Sequence, residues 1–452
     1  MQAIADVGWE PRLFAPEWRS LTIGSVALCS MMAFEAIGVA AGMPAVAADL
    51  DGLSLYALAF SGTLAGSVVA MVWSGQDCDR HGPLRSMAGG IALFALGLLL
   101  AGLAGSMAML VVGRIVQGLG VGALGVALFV ATARVVPTAL HPRLFALFSS
   151  AWVVPAIIGP SIAGWIVDAL GWRWLFLGVA GLLLPTAILI LPPLKNARGT
   201  STATQPGRHL LTWALLASAS SVTLALGAQA GSWAPHLVLA SLAGAGVAAT
   251  RLLPTGTLRM AHGLPTVISL RGLNAAAFFL CEAFIPLWLN QQRAWSITAA
   301  GLALTGGALG WSLGSHLQSR ITGDAARQAW LTRGCLLLVA GIAVCGLAVL
   351  GLVADWMLLL GWSVTGLGIG LSSPMLGVLT LKLAPATEQG KYSSALQLSA
   401  ALGTGAALAS GGLLFSLLHS DAPSSAFGSV FGLSALLALV GWVSSGRIAK
   451  NG

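Results

Sequence analysis

Charge is what this chain has least of. Asp, Glu, Lys and Arg together make up 8% of its 452 residues, where a soluble domain carries about 25%. With 57% hydrophobic residues and a mean hydropathy of +0.89, it has too little polar side chain to cover a surface in water. A soluble globular protein is excluded, and a polytopic membrane protein is expected. Paired cysteines are missing too. Cys29, Cys78, Cys281, Cys335 and Cys345 stand in apolar segments or at a helix end, with no spacing that suggests a disulfide framework or a metal site. There is no Ser/His/Asp grouping at a membrane face, no metal-ligand cluster and no phosphate-binding loop, so neither an enzyme nor a cofactor is expected. The first twenty residues are polar and mixed in charge, and the first apolar run is too long for the core of a signal peptide. No cleavable leader is expected.

What the chain does have is long apolar runs. Fourteen are of spanning length: 21–44, 55–75, 86–106, 107–131, 144–168, 172–192, 210–228, 236–253, 266–290, 297–317, 330–352, 356–382, 392–418 and 426–446. A polar linker, 195–209, separates the sixth from the seventh. Glycine supplies 58 residues, which is expensive in soluble helices but lets helix backbones approach closely in lipid.

The few bases are ordered. If both termini lie on one side, nineteen of the 22 Lys and Arg fall on that side, Arg173 and Arg293 fall on the other, and Arg114 lies within a span. This is the positive-inside pattern, and it places both termini in the cytoplasm. The net charge of +8 therefore reflects topology, with anionic inner-leaflet lipid as its partner and no role for nucleic acid. The cytoplasmic (plasma) membrane is the expected location.

The chain also repeats. A shift of 247–248 residues places Glu35 on Glu282, the run Gly118 to Gly122 on Gly366 to Gly370, Pro137 on Pro385 and Arg143 on Lys391. The expected architecture is all-α: a six-helix bundle over 1–194, a linker with two inserted transmembrane helices over 195–265, and a second six-helix bundle over 266–452. An even insertion keeps the halves parallel. Two parallel repeats about an axis along the membrane normal, with substrate held near the midplane, is a transporter plan.

Glu35 is the feature that needs a reason. It is the lone charge between Leu21 and Pro44 and lies fourteen residues into that run, which places it roughly 21 Å deep in a helix. A charge there costs between about 3 and about 10 kcal/mol. Either it is a fixed structural group that ties helices together, or it takes up and releases a proton. Arg114, seven residues into its own span, also needs a partner, and Glu35 and Gln117 are the candidates; Gln117 stands three residues on, on the same helix face.

Three local patterns resemble the major facilitator superfamily, and within it the fourteen-span drug:proton antiporters. Gly75, Asp79, Arg80 and Gly82 match the loop G-x-x-x-D-R-x-G. Pro83 and Leu84 depart from the bases usual next, and Arg85 follows one position late. The glycine is expected to allow close helix contact, and the aspartate to face the positive end of a neighbouring helix and hold the inner side closed. Arg114, Gln117, Gly118 and Gly120 resemble R-x-x-Q-G-x-G, whose arginine the family links to proton coupling. Pro155, Gly159, Pro160 and Gly164 resemble the antiporter signature, with Ala163 in place of one glycine; in the superfamily this pattern accompanies exporters. Glu35 precedes Pro44 by nine residues, as the family's first-span acid precedes its proline. In the second half Trp362 stands where Arg114 would repeat.

The resemblance implies export of an amphipathic molecule in exchange for protons, driven by the proton gradient, with Glu35, Arg114 and Glu282 in proton coupling. Gln117, Asn274, Asn290 and Gln397 are the expected polar handles of the cavity, and a monomer is expected. Lipid or glycolipid export on the same fold, with the inserted pair as a lateral gate, is the alternative; a non-transporting sensor or assembly factor is a distant one. The inserted hairpin from Leu210 to Leu253, uncharged before Arg251, reads as a lipid-facing spacer.

Overall fold

A computed structural model describes residues 14–137, 140–197, 208–227, 230–321, 323–385, 389–419 and 422–448. Arg12, Arg198 and Lys450 lie outside the described residues, as does most of the 195–209 linker. Among the described residues are fourteen α-helices long and apolar enough to cross a membrane, and no strand. In chain order they are α1 (Pro16–Asp49), α2 (Tyr56–His81), α3 (Pro83–Gly102), α4 (Met107–Val135), α5 (His141–Leu170), α6 (Arg173–Ile190), α7 (Arg208–Leu226), α8 (Ala234–Leu252), α9 (Leu264–Arg293), α10 (Ile297–Ser319), α11 (Asp324–Val349), α12 (Met357–Leu383), α13 (Gln389–Leu418) and α14 (Pro423–Ser444).

Local signals set several boundaries. Prolines occupy the first turn of α1, α3, α5, α8, α9 and α14, where the missing N–H has no helical partner to lose. Ser106 and Ser296 cap α4 and α10, accepting from the amides of Met109 (3.3 Å) and Ala299 (3.2 Å). Gly82, at φ +87°, makes the sharp corner between α2 and α3. Helix α1 outruns its expected span at both ends. It starts at Pro16 and continues through Pro44 to Asp49, where Trp172 Nε1 (2.9 Å) and Arg173 Nη1 (3.1 Å) donate to the Asp49 carboxylate. The aromatic–Arg cluster at the head of α6 thus fastens the far end of α1.

The repeated glycines do the same work twice. In α4, side chains at Gly118 and Gly122 would collide with the carbonyls of Thr63 and Ser67 on α2, and one at Gly120 with the backbone of Phe94 on α3. In α12, Gly366 and Gly370 lie against the carbonyls of Gly307 and Trp311 on α10, and Gly368 against Leu338 and Gly334 on α11. Each half therefore wedges its fourth helix between its second and third by backbone contact, which is the packing lipid favours.

The most enclosed span is α9, with 83% of its most apolar stretch buried; α8, at 11%, is the most peripheral. The inserted pair is not a uniform spacer. Helix α7 packs along α2 and α13, covering the seam between the halves. Ser218 Oγ donates to the Ala65 carbonyl (2.6 Å), and Ala214 packs with Val68 and Ala401. Helix α8 lies outside α7, joined to it by the hydroxyls of Thr223 and Ser241 at 2.6 Å. Among the described residues, no inserted helix covers the seam between α5 and α10.

The halves meet on the face opposite the basic one. There Tyr56 Oη donates to the Ala283 carbonyl (2.7 Å), Ser416 Oγ to the Ser54 carbonyl (3.3 Å), and Thr298 to Asp168. Gly412 lies against Ala57, Gly164 against Thr298, and Gly301 against the Pro160 carbonyl.

Candidate functional site

In mid-membrane, α1, α2 and α4 converge on an acid–base network. Arg114 comes from α4, Glu35 from α1, and both are nearly sealed, at 4% and 3% exposure. Two nitrogens of the guanidinium are engaged: Nε donates to the Ala59 carbonyl of α2 (3.0 Å), while Nη1 donates to Glu35 Oε1 and to Gln117 Oε1 (2.8 Å). Gln117 is itself fully buried, and its Nε2 has no partner among the described residues. A buried pair is costly to assemble and costly to break, because removing one partner leaves a naked charge. The arrangement can hold a carboxylate in hydrocarbon, and it can release that carboxylate if the guanidinium is drawn elsewhere.

The second half lacks this network. Glu282 of α9 is half-buried and has neither a cation nor a hydrogen-bond partner among the described residues. Trp362, at the position equivalent to Arg114, is fully buried and stacks on Phe278 at 4.7 Å. Its Nε1 donates to the Leu304 carbonyl of α10 at 3.2 Å.

The expected polar handles do not gather into one cluster. Gln117 belongs to the Arg114 network. Asn274 is fully buried within the second half, donating to Cys335 Sγ (3.5 Å) and Ser372 Oγ (3.3 Å), so it is a packing group rather than an open cavity contact. Asn290 caps the end of α9 through the Trp295 carbonyl at 3.0 Å. Gln397 is exposed on α13.

At the α2–α3 corner, Asp79, Arg80 and Arg85 are exposed, and a side chain at Gly75 would meet nothing within 4 Å, so that glycine makes no close helix contact. The buried acid here is Asp77, near the end of α2, which the sequence motif leaves out. It accepts from Ser86 Oγ at the start of α3 (2.9 Å) and lies 2.9 Å from His81 Nδ1 and 3.8 Å from Arg85 Nε. Its signal was the i, i+4 spacing to His81 and the serine in the first turn of the next helix. In α5, Pro155, Gly159, Pro160 and Gly164 are all buried within one unbroken helix. Gly164 lies against Thr298 of α10, and the Pro160 carbonyl against Gly301.

Fourteen spanning helices arranged as two wedged six-helix sets, with an ion pair sealed at mid-depth, define a polytopic integral membrane protein. The family model described as Major Facilitator Superfamily matches residues 23–317, and the chain belongs to that superfamily. Among curated proteins it is 25% identical over 405 residues to an uncharacterised MFS-type transporter of Mycobacterium tuberculosis. That match covers 83% of this chain, which spans only 56% of the relative's length. It is 29% identical over 416 residues to a probable multidrug-efflux transporter of the same organism, covering 85% of each, and 22% identical over 400 residues to the multidrug transporter protein MdtP of Bacillus subtilis, covering 85% of this chain and 72% of that one. Among solved structures it is similar to a POT family transporter in complex with a thioalcohol-conjugated peptide, with a TM-score of 0.71, 17% identity, and coverage of 95% and 96%. A D-xylose–proton symporter gives 0.62, 15%, 93% and 96%. These structural likenesses bear on the fold alone. The family and the relatives are transporters, not enzymes.

Proposed function

We propose that the protein exports amphipathic small molecules across the cytoplasmic membrane in exchange for protons. The observation that carries this reading is the sealed Glu35–Arg114–Gln117 network in the first half, set against an unpaired Glu282 in the second. A carboxyl group in hydrocarbon is tolerable when paired with a cation or when neutral, and a transport cycle can use the exchange between those two conditions. With the basic face cytoplasmic, the contacts around Tyr56, Ser416 and Thr298 hold the halves over 1–194 and 266–452 together on the outside. Rocking about the midplane would open the outer face, disturb the contacts around Tyr56 and Thr298, and expose the acid site to external protons. The buried α5 signature and the multidrug-efflux names among the relatives support export as the direction.

The test is efflux from proteoliposomes under an imposed pH gradient, with ethidium as substrate. Glu35→Gln is expected to abolish gradient-driven efflux while leaving binding in place. Full efflux by that variant would overturn the assignment of Glu35. Lipid export is the second reading. It is favoured by an apolar groove of about 350 Å³ lined by Trp295, Leu302, Leu359 and their neighbours on α10 and α12, beside the uncovered seam. On that reading the lateral path lies at α5 and α10, because α7 closes the other seam.

A further inference from the structure

Arg271 is a cation without an anion. It counts among the bases of the basic face, yet it lies seven residues inside α9, about 10 Å in from Leu264. Its Nη1 donates to Ser373 Oγ of α12 at 2.7 Å; its Nε is buried without a partner, and no carboxylate lies within ion-pair distance among the described residues. A guanidinium is always charged and presents five donors in a planar fork. One serine leaves most of that fork unused, in a place where unpaired charge is expensive.

The position on α9 says what the fork faces. Glu282 follows eleven residues later, three turns on, so the two side chains share a face about 16 Å apart, too far to pair with each other. Asn274 to Phe278, Leu280 and Cys281 are buried, while Arg271, Phe279 and Glu282 keep exposure. Phe279 (37% exposed) and Trp311, with ring centroids 6.4 Å apart, form an apolar wall between the two charged groups.

We propose that Arg271 and Ser373 form an anion subsite that binds a carboxylate, phosphate or sulfonate group of the transported amphipath, with its apolar body along Phe279 and Trp311. This rests on reading the protein as an exporter of amphipaths, and it gives an anionic amphipath a contact that a cationic or uncharged one lacks. Guanidinium recognises such groups through two parallel N–H donors, and the Ser373 hydroxyl holds the fork in position.

The experiment uses the full chain in phosphatidylcholine nanodiscs and three dansyl amphipaths with one alkyl chain and a sulfonate, trimethylammonium or uncharged head. Energy transfer from protein tryptophan reports binding. Arg271→Gln is expected to weaken the sulfonate probe at least tenfold and leave the other two within twofold; Arg271→Lys falls between, and Ser373→Ala costs about threefold. Retained binding of the uncharged probe shows that the variants are folded. The proposal is overturned if Arg271→Gln leaves sulfonate binding within twofold or weakens all three probes alike. Replacing part of the lipid with phosphatidylglycerol separates the sources. Competition with the sulfonate probe identifies a lipid headgroup as an occupant; none identifies a soluble anionic molecule. Binding needs no gradient, so failure of proton-driven efflux leaves this result standing.

Discussion

Arg114 and Trp362 stand at equivalent positions in the two halves, and each passes a side-chain N–H to a backbone carbonyl of the neighbouring helix: Arg114 to Ala59 at 3.0 Å, Trp362 to Leu304 at 3.2 Å. The second half has kept the structural hydrogen bond and dropped the charge. That substitution explains the unequal states of two repeat-related acids. Glu35 has a guanidinium to hold it; in the second half the equivalent position carries an indole that is committed to α10 and stacked on Phe278.

Removing one member of the first-half pair should cost more than removing both. Arg114→Ala leaves the Glu35 carboxylate buried and unpaired, a loss of about 3–5 kcal/mol. Glu35→Gln combined with Arg114→Gln replaces the pair with neutral groups and should recover much of that. Thermal unfolding of detergent-solubilised protein, followed by tryptophan emission, checks the order: wild type, then the double variant, then Arg114→Ala. Equal melting of the two variants would mean that the pair is not what holds this site.

The glycine wedges make a second, sharper prediction. Gly118→Val and Gly366→Val both drive methyl groups into carbonyls, of Thr63 and Gly307 respectively, and backbone cannot swing aside as a flexible side chain can. Both should lose the monodisperse folded species in fluorescence-detected size exclusion. Gly75→Ala, with nothing within 4 Å, should be tolerated, and it gains about 1 kcal/mol of helix propensity.

These contrasts show what the sequence could reveal. A carboxylate in hydrocarbon is conspicuous, and so is a glycine run repeated at one spacing. The span count, the placement of Glu35, Arg114 and Glu282 within spans and the repeated glycine run were therefore legible from residues alone; that each run wedges a fourth helix between its neighbours was not. Facing was not legible. Asp77 and Asp79 sit two residues apart near the end of α2, about 200° apart around the helix, and the corner at Gly82 brings Ser86 against Asp77 alone. Asn274 and Arg271 lie on one helix three residues apart, one sunk among Cys335 and Ser372 and the other left with spare donors. Helix α7 looked like a spacer because its packing partners, α2 and α13, are distant in sequence.

A pH prediction follows from the ion pair on the sparse face. Arg293 donates to both oxygens of Asp355 (2.6 and 2.9 Å) and lies over the Trp288 ring. The hydrogen bonds from Arg293 hold the Asp355 carboxyl below its ordinary value of 3.8. A depressed carboxyl contributes stability above its unfolded value, and that contribution is lost as pH falls from the ordinary value through the folded one. The pair is largely exposed and screened, so its contribution is small. Asp355→Asn should lower the melting temperature slightly at neutral pH and converge on the wild type below about pH 4, which flattens the acid limb. An unchanged acid limb would remove Asp355 from the account.

Alternating access requires the Tyr56 face to come apart, and one pair of residues tests this directly. Ser416 Oγ reaches the Ser54 carbonyl at 3.3 Å, joining the end of α13 to the turn before α2. The native cysteines are all buried, so Ser54→Cys with Ser416→Cys offers two accessible thiols to a short reducible cross-linker. The cross-linked protein should bind substrate from the basic face yet show no efflux in proteoliposomes, and reductant should restore it. Each single variant treated with the same reagent should stay active. Transport that continued with the bridge in place would mean that the halves separate elsewhere, and the closed contacts around Tyr56 and Thr298 would then be fixed structure rather than a gate.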